Sequence, residues 1–317
     1  MIQDGETMEL FLQICQLVLG FALLVKGADF FVDGAAGAAS KFGIPQLVIG
    51  LTVVAMGTSA PETAVSLTAA FQGNAGITIG NVLGSNILNI LVILGLTTVI
   101  VPLHVKESTA HFEMPYAIIV SALLAVLGLW DGVVGFVDGV ILWMGLLLFL
   151  GYLFRLARSG DAETEETGRS SKNLGLLLAM TAGGLAVIIW GSDLTVDSAT
   201  AIAQALGVDE RVIGLTIVAL GTSLPELVTS VTAGLKGNAD IAFGNIIGSN
   251  ILNVLFVAGT TALITPVAYA DGFLPDSLVL VGASLLLWLL AVKRRTLSRA
   301  GGIVMLLCYG GYLWYLL

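Results

Sequence analysis

The chain has 317 residues, of which 57% are hydrophobic and 11% charged, far from the balance of about 25% charged that soluble domains keep. That excludes an ordinary soluble domain and makes this an integral membrane protein, in which a net charge of −9 says little and the placement of charges says more. No nucleic-acid partner is indicated, and Cys15 and Cys308, in apolar segments near opposite ends, read as packing residues rather than a disulfide or metal site.

The acidic start (Asp4, Glu6, Glu9) is unlike a signal peptide, so the first apolar run counts as a membrane span over 10–35, with KGADFFVDGA at 26–35. A second span, 45–70, holds VIGLTVVAMGTS at 48–59, followed by Pro61 and Glu62. A third, 76–101, holds GNVLGSNILN at 80–89, and spans at 114–130 and 133–155 follow. The polar stretch RLARSGDAETEETGRSSK, 156–173, is a linker. Five further spans are expected at 174–200, 210–235, 240–265, 275–292 and 299–317. Their lengths suit the ~17–25 residues that cross hydrocarbon. No period-two pattern suggests a barrel, so the spans are helices.

The second five spans restate the first five. Residues 57–90 and 221–254 share 20 of 34 positions at an offset of 164, and the shared letters are mainly Gly, Ser, Thr, Asn, Pro and Glu. Packing alone would preserve apolar letters; duplicated polar ones point to a site built from both halves. VIGLTIVALGTS (212–223) and WGSDLTVDSA (190–199) extend the match upstream. With the N-terminus outside, the inner loops hold Lys41, Lys106, Arg155, Arg158, Arg169, Lys172, Lys236, Lys293, Arg294, Arg295 and Arg299, against Arg211 alone outside. Both termini then face outward, the linker is cytoplasmic, and an odd number of spans per repeat turns the second half upside down. The expected fold is an all-α integral membrane protein with ten transmembrane helices in two inverted five-helix repeats, 1–155 and 174–317, and broken helices at the ion site.

Glu62 and Glu226 fall mid-span, where an ionised carboxylate costs roughly 2.5–3.5 kcal/mol on insertion scales. Each follows a proline, which frees a carbonyl in the preceding turn. Exposed carbonyls beside a carboxylate suit a hard cation; the bland alternative is a kink with a buried protonated glutamate. Asn81, Ser85 and Asn89 recur every four residues, as do Asn245, Ser249 and Asn253. Asn81, Asn86, Asn245 and Asn250 read as interhelical glue, and Gly80, Gly84, Gly244 and Gly248 as points of close approach. Calcium, with ~6–8 oxygen ligands, could take both carboxylates and the carbonyls of Thr58 and Thr222. Sodium could use the hydroxyls of Ser59, Ser223, Ser85 and Ser249, the amide oxygens of Asn89 and Asn253, and the carbonyls of Ala55 and Ala219. No thiol or imidazole lies near, which disfavours zinc or copper. One divalent or two monovalent cations neutralise the pair, so the two occupancies exclude each other.

The paired GTSxPE and GNxxGSNxxN segments resemble the two alpha-repeats of the sodium/calcium exchanger branch of the calcium/cation antiporter superfamily, its prokaryotic members in particular. The resemblance covers essentially the whole chain. It implies that Glu62 and Glu226 are the principal calcium ligands and that Thr58, Thr222, Ser59, Ser223, Ser85 and Ser249 line the sodium and calcium sites. Several relatives carry aspartate at one of the positions held here by Asn89 and Asn253, including exchangers that also move potassium. The expected function is therefore Na+/Ca2+ antiport by alternating access in a plasma (inner) membrane, the long first and sixth helices sliding over the second, third, seventh and eighth. An H+/Ca2+ antiporter is the alternative. No enzyme activity, cofactor or obligate protein partner is expected; Ser59 has no histidine or lysine at its depth to activate it.

Asp29, Asp33, Asp193 and Asp197 are repeat-related and read as caps or links to other helices, while Trp130 and Tyr152 read as interface anchors.

Overall fold

A computed structural model describes residues 2–72, 75–158, 172–206, 219–269 and 272–316. Its helices are α1 Ile2–Phe42, α2 Gln46–Thr58, α3 Ala60–Phe71, α4 Gly76–Ile100, α5 Thr109–Asp131, α6 Phe136–Arg158, α7 Leu174–Ala205, α8 Ala219–Thr222, α9 Leu224–Leu235, α10 Ala239–Ile264, α11 Phe273–Val292 and α12 Arg299–Leu316. Among the described residues seven helices are long and apolar enough to cross a membrane, and α2 with α3 makes an eighth span bent by 51°. The protein is thus an all-helical, multi-pass membrane protein. Most of the expected linker and the first part of the span expected from 210 lie outside the described residues.

Local chemistry sets the helix ends. Gly43 takes φ +63 after α1 and Pro45 follows, the left-handed stop and the residue that cannot continue a helix. Gly132 and Gly237 end α5 and α9 the same way, with φ +79 and +78. Two expectations shift. α1 starts well before residue 10. α5 starts at Thr109 rather than 114, because a π turn over Thr109–Glu113 carries the helix up to Pro115.

α10 is the centre of the molecule, with 94% of its apolar window buried, whereas α1 and α7 bury 17% and 22% of theirs. Those two long helices lie along one another on a glycine seam. A Cβ on Gly20, Gly27 or Gly34 would stand 2.4 to 2.9 Å from Thr195, Ile188 or Thr181, and one on Gly184 would stand 2.5 Å from the Phe31 nitrogen. Backbone meets backbone there, as in small-residue packing of membrane helices. α10 receives α2 similarly: a Cβ on Gly244 would lie 2.8 Å from Gly50 Cα, and one on Gly248 2.8 Å from Leu51 Cα. The matching role expected for Gly84 is not seen among the described residues, where a Cβ placed on it would meet no other element within 4 Å.

Two short antiparallel ladders tie the halves together. Leu103–His104 (β1) pairs with Thr296–Leu297 (β4), and Val133–Val134 (β2) with Val267–Ala268 (β3). A shift of 164 turns β1 into β3 and carries β2 onto 297–298, one residue beyond β4, so the two ladders hold corresponding places in the halves. They lie at opposite ends of α5, whose 23 residues span roughly 34 Å at 1.5 Å each. Lys236, just past α9, reaches α1 through Asp29 at 3.3 Å and Asp33 at 2.7 Å, which makes those aspartates interhelical links. Gln72 holds the equivalent place beyond α3, and α7 makes no comparable contact with α3.

The seam makes a sharp contrast between neighbours. Gly184→Ala should destabilise the detergent-solubilised protein by about 1–3 kcal/mol through overpacking. Gly183→Ala, where an added Cβ meets nothing within 4 Å, should leave the melting temperature unchanged.

Candidate cation site

The break between α2 and α3 falls at Ser59, with φ −82 and ψ 12, and the break between α8 and α9 at Ser223, with φ −95 and ψ 6. Proline one turn on explains both: Pro61 and Pro225 bring no N–H to the carbonyls of Gly57 and Gly221. The Ser192 hydroxyl of α7 donates to the Gly221 carbonyl at 2.8 Å. Ala28 occupies the equivalent place in α1, so the Gly57 carbonyl has no such side-chain donor among the described residues.

Each break places its glutamate in the first turn of the following helix, and both carboxyls are buried, 2% exposed at Glu62 and 1% at Glu226. They are within electrostatic reach of one another. The halves exchange hydrogen bonds: Ser59 Oγ donates to Glu226 Oε1 at 2.8 Å, and Ser223 Oγ to Glu62 Oε1 at 3.1 Å. Asn81 Nδ2 donates to the Glu62 carbonyl at 3.0 Å and to Ser66 Oγ at 2.8 Å; Asn245 Nδ2 donates to the Glu226 carbonyl at 3.3 Å and to Ser230 Oγ at 2.9 Å. Ser66 and Ser230 were open to recognition, since both are duplicated letters of the repeat one turn beyond the glutamates. Every such contact has a mate 164 residues away, the signature of a twofold relation between two copies.

Asn89 and Asn253 each open a π turn, Asn89–Leu94 and Asn253–Ala258. Single π turns inside α-helices recur at functional sites. Asn89 Nδ2 donates to Asn250 Oδ1 at 3.0 Å, and Asn253 Nδ2 to Asn86 Oδ1 at 3.1 Å. Asn81, Asn86, Asn245 and Asn250 thus all make interhelical hydrogen bonds, while Asn89 and Asn253 spend only their nitrogens on them.

What remains is a surplus of acceptors. Among the described residues Glu62 Oε2, Glu226 Oε2, Asn89 Oδ1 and Asn253 Oδ1 are buried with no hydrogen-bond partner, and Ser249 Oγ, which has none at full hydrogen-bond geometry, faces the Glu226 carboxyl. An orphaned buried acceptor costs about 1–3 kcal/mol, more for a charged group. Carboxylate and amide oxygens left without a donor can receive a cation, and oxygen-only chemistry suits sodium or calcium. The other expected residues divide. Thr58 Oγ1 donates to Asn245 Oδ1 at 2.9 Å, and the Ala55 carbonyl accepts the Ser59 N–H at 3.0 Å and Thr58 Oγ1 at 3.4 Å. Ser85 turns its hydroxyl back onto the Asn81 carbonyl of its own helix. Thr222 is half-buried at the end of α8, the turn that Ala219 begins.

One buried carboxyl outside the cluster escaped recognition. Glu113 is fully buried, accepts the Tyr152 hydroxyl at 2.5 Å on Oε1, and leaves Oε2 without a partner. A tyrosine–carboxylate bond recurs in the other half, where the Tyr312 hydroxyl donates to Asp276 Oδ1 at 2.8 Å, but at the offset of 164 from Glu113 stands Ser277, so no repeat signal marks it. Tyr152, read as an interface anchor, also stacks on Phe112 at 3.8 Å.

A family model described as sodium/calcium exchanger protein matches residues 12–159 and 176–317. The sodium/calcium exchanger MaX1 of Methanosarcina acetivorans is 32% identical over 94% of this chain and 96% of its own. Inner membrane protein YrbG of Escherichia coli is 38% identical over 94% of each. A solved structure of the sodium-calcium exchanger NCX_Mj, soaked with zero Na+ and Ca2+, superposes with TM-score 0.84 at 34% identity, covering 97% of this chain and 100% of that one.

If the orphaned acceptors take up cations, ions stabilise the folded state by about 2.7 kcal/mol at a hundred times the dissociation constant. Calcium should therefore raise the melting temperature of the purified protein, and Glu62→Gln and Glu226→Gln should each remove that response.

Proposed function

Since the chain belongs to the sodium/calcium exchanger protein family, a family of transporters rather than enzymes, we propose that it exports Ca2+ in exchange for entering Na+. The observation that carries this is the set of partnerless oxygens around Glu62 and Glu226. Ca2+ takes both carboxylates with the Thr58 and Thr222 carbonyls. Na+ ions use the same carboxylates with the oxygens of Ser59, Ser223, Ser85, Ser249, Asn89, Asn253, Ala55 and Ala219. Because one Ca2+ or two Na+ cancel the charge of the pair, occupancy by one ion opposes the other, as antiport requires.

In this reading ten transmembrane helices form two inverted five-helix repeats, 1–155 and 174–317, around a cytoplasmic linker at 156–173, with both termini outside. The exchange-symmetric contacts and ladders support the twofold relation. Lys106, Arg295 and Arg299 gather at the β1–β4 end, which supports that end as cytoplasmic. α1 lies against α9, pinned by Lys236, while α7 stands off α3. That asymmetry supports a state held closed on the Lys236 side; in this reading sliding of α1 and α7 exchanges the two arrangements.

Proteoliposomes loaded with Na+ should take up Ca2+ when diluted into Na+-free buffer at fixed pH. Glu62→Gln and Glu226→Gln should cut that uptake by at least about a hundredfold, the scale expected when one partner of a buried charged set is removed. Uptake that ignored Na+ and followed a pH gradient would reassign the coupling to protons.

A further inference from the structure

Hydrogen-bond logic fixes which end of each amide faces the cage. A backbone carbonyl only accepts. Asn86 Nδ2 lies 3.1 Å from the Asn250 carbonyl and Asn250 Nδ2 lies 3.2 Å from the Asn86 carbonyl, so neither amide can be reversed without setting oxygen against oxygen. Their Oδ1 atoms are thereby pointed at the next residue across the interface, where each accepts from the Nδ2 of Asn253 or Asn89. Those two nitrogens are in turn committed, and their oxygens are left buried and partnerless. Reversing Asn253 or Asn89 would oppose two acceptors and push an NH2 group at the cation.

We infer that Asn86 and Asn250 are positioning residues that set the polarity of the ion cage: Asn86 holds the Asn253 oxygen, and Asn250 the Asn89 oxygen, toward the cation. The action is crossed between repeats, from the helix of one half to the ligand of the other. It rests on the assignment of Asn89 and Asn253 as ion ligands made above. Neither positioning residue touches the ion.

The crossing gives a test that a purely structural role fails. Apparent Ca2+ affinity is read from Na+-driven uptake of radiolabelled Ca2+ in proteoliposomes, for Asn86→Ala, Asn253→Ala and the double variant, and for Asn250→Ala with Asn89→Ala. Asn86→Ala should weaken the affinity roughly tenfold, a hydrogen-bond-sized loss, and add nothing once Asn253 is already alanine. Asn250→Ala should likewise be silent over Asn89→Ala, while the uncrossed pair Asn86→Ala with Asn89→Ala should multiply. Asn86→Ser and Asn250→Ser repeat the cycles where an alanine variant does not assemble. Multiplicative effects in both crossed pairs would overturn the inference, and so would failure of both the alanine and serine variants to fold while Asn253→Ala and Asn89→Ala fold normally. Unchanged affinity in Asn253→Ala and Asn89→Ala would instead remove the amides from the ion site, and the inference with them.

Discussion

More acceptor oxygens than donors are held in the dry centre of this protein, and most other features serve to keep them there. Among the described residues one oxygen of each carboxylate and two amide oxygens stand without hydrogen-bond partners in surroundings where each would ordinarily be driven to find one. The molecule tolerates the imbalance because each acceptor is clamped from behind. Serines cross from the opposite half to hold one oxygen of each glutamate, and Asn81 and Asn245 hold the glutamate carbonyls. The second oxygen of each carboxylate is the one left over.

Duplication supplies this arrangement cheaply in sequence terms. One segment that breaks a helix at a serine, restarts it at a proline and carries a glutamate can satisfy only part of its own polarity. Two copies facing each other complete the rest, with the serine–glutamate and asparagine bonds made twice. The differences between copies are then the informative places. Ser192 caps a freed carbonyl where Ala28 offers nothing, Ser85 turns inward to its own helix where Ser249 does not, and Lys236 grips α1 where Gln72 stands on the other side.

The repeat made the large features readable in advance. The duplication marks both glutamates, the serines beside them and the glue asparagines, because duplicated polar letters in an apolar setting have few other causes. Direction was not readable. No spacing rule says that Ser85 folds back while Ser249 does not, since both occupy the same helical position; the difference arises from how each half packs. The π turns at Asn89 and Asn253 were hidden too, being a change in hydrogen-bond register that leaves composition untouched. Glu113 was missed because it lies between a charged loop and Pro115, where a helix start was placed a few residues late.

The glycine seam between α1 and α7 has a mechanical corollary. Two rods whose backbones touch have little side-chain relief to interlock with anything sideways, yet they are fastened to each other along much of their length. They must travel as one piece. In the proposed exchange, a single shuttle of this kind covers one side of the site in the stroke that uncovers the other, so the joinery rather than timing opposes leakage through a doubly open passage.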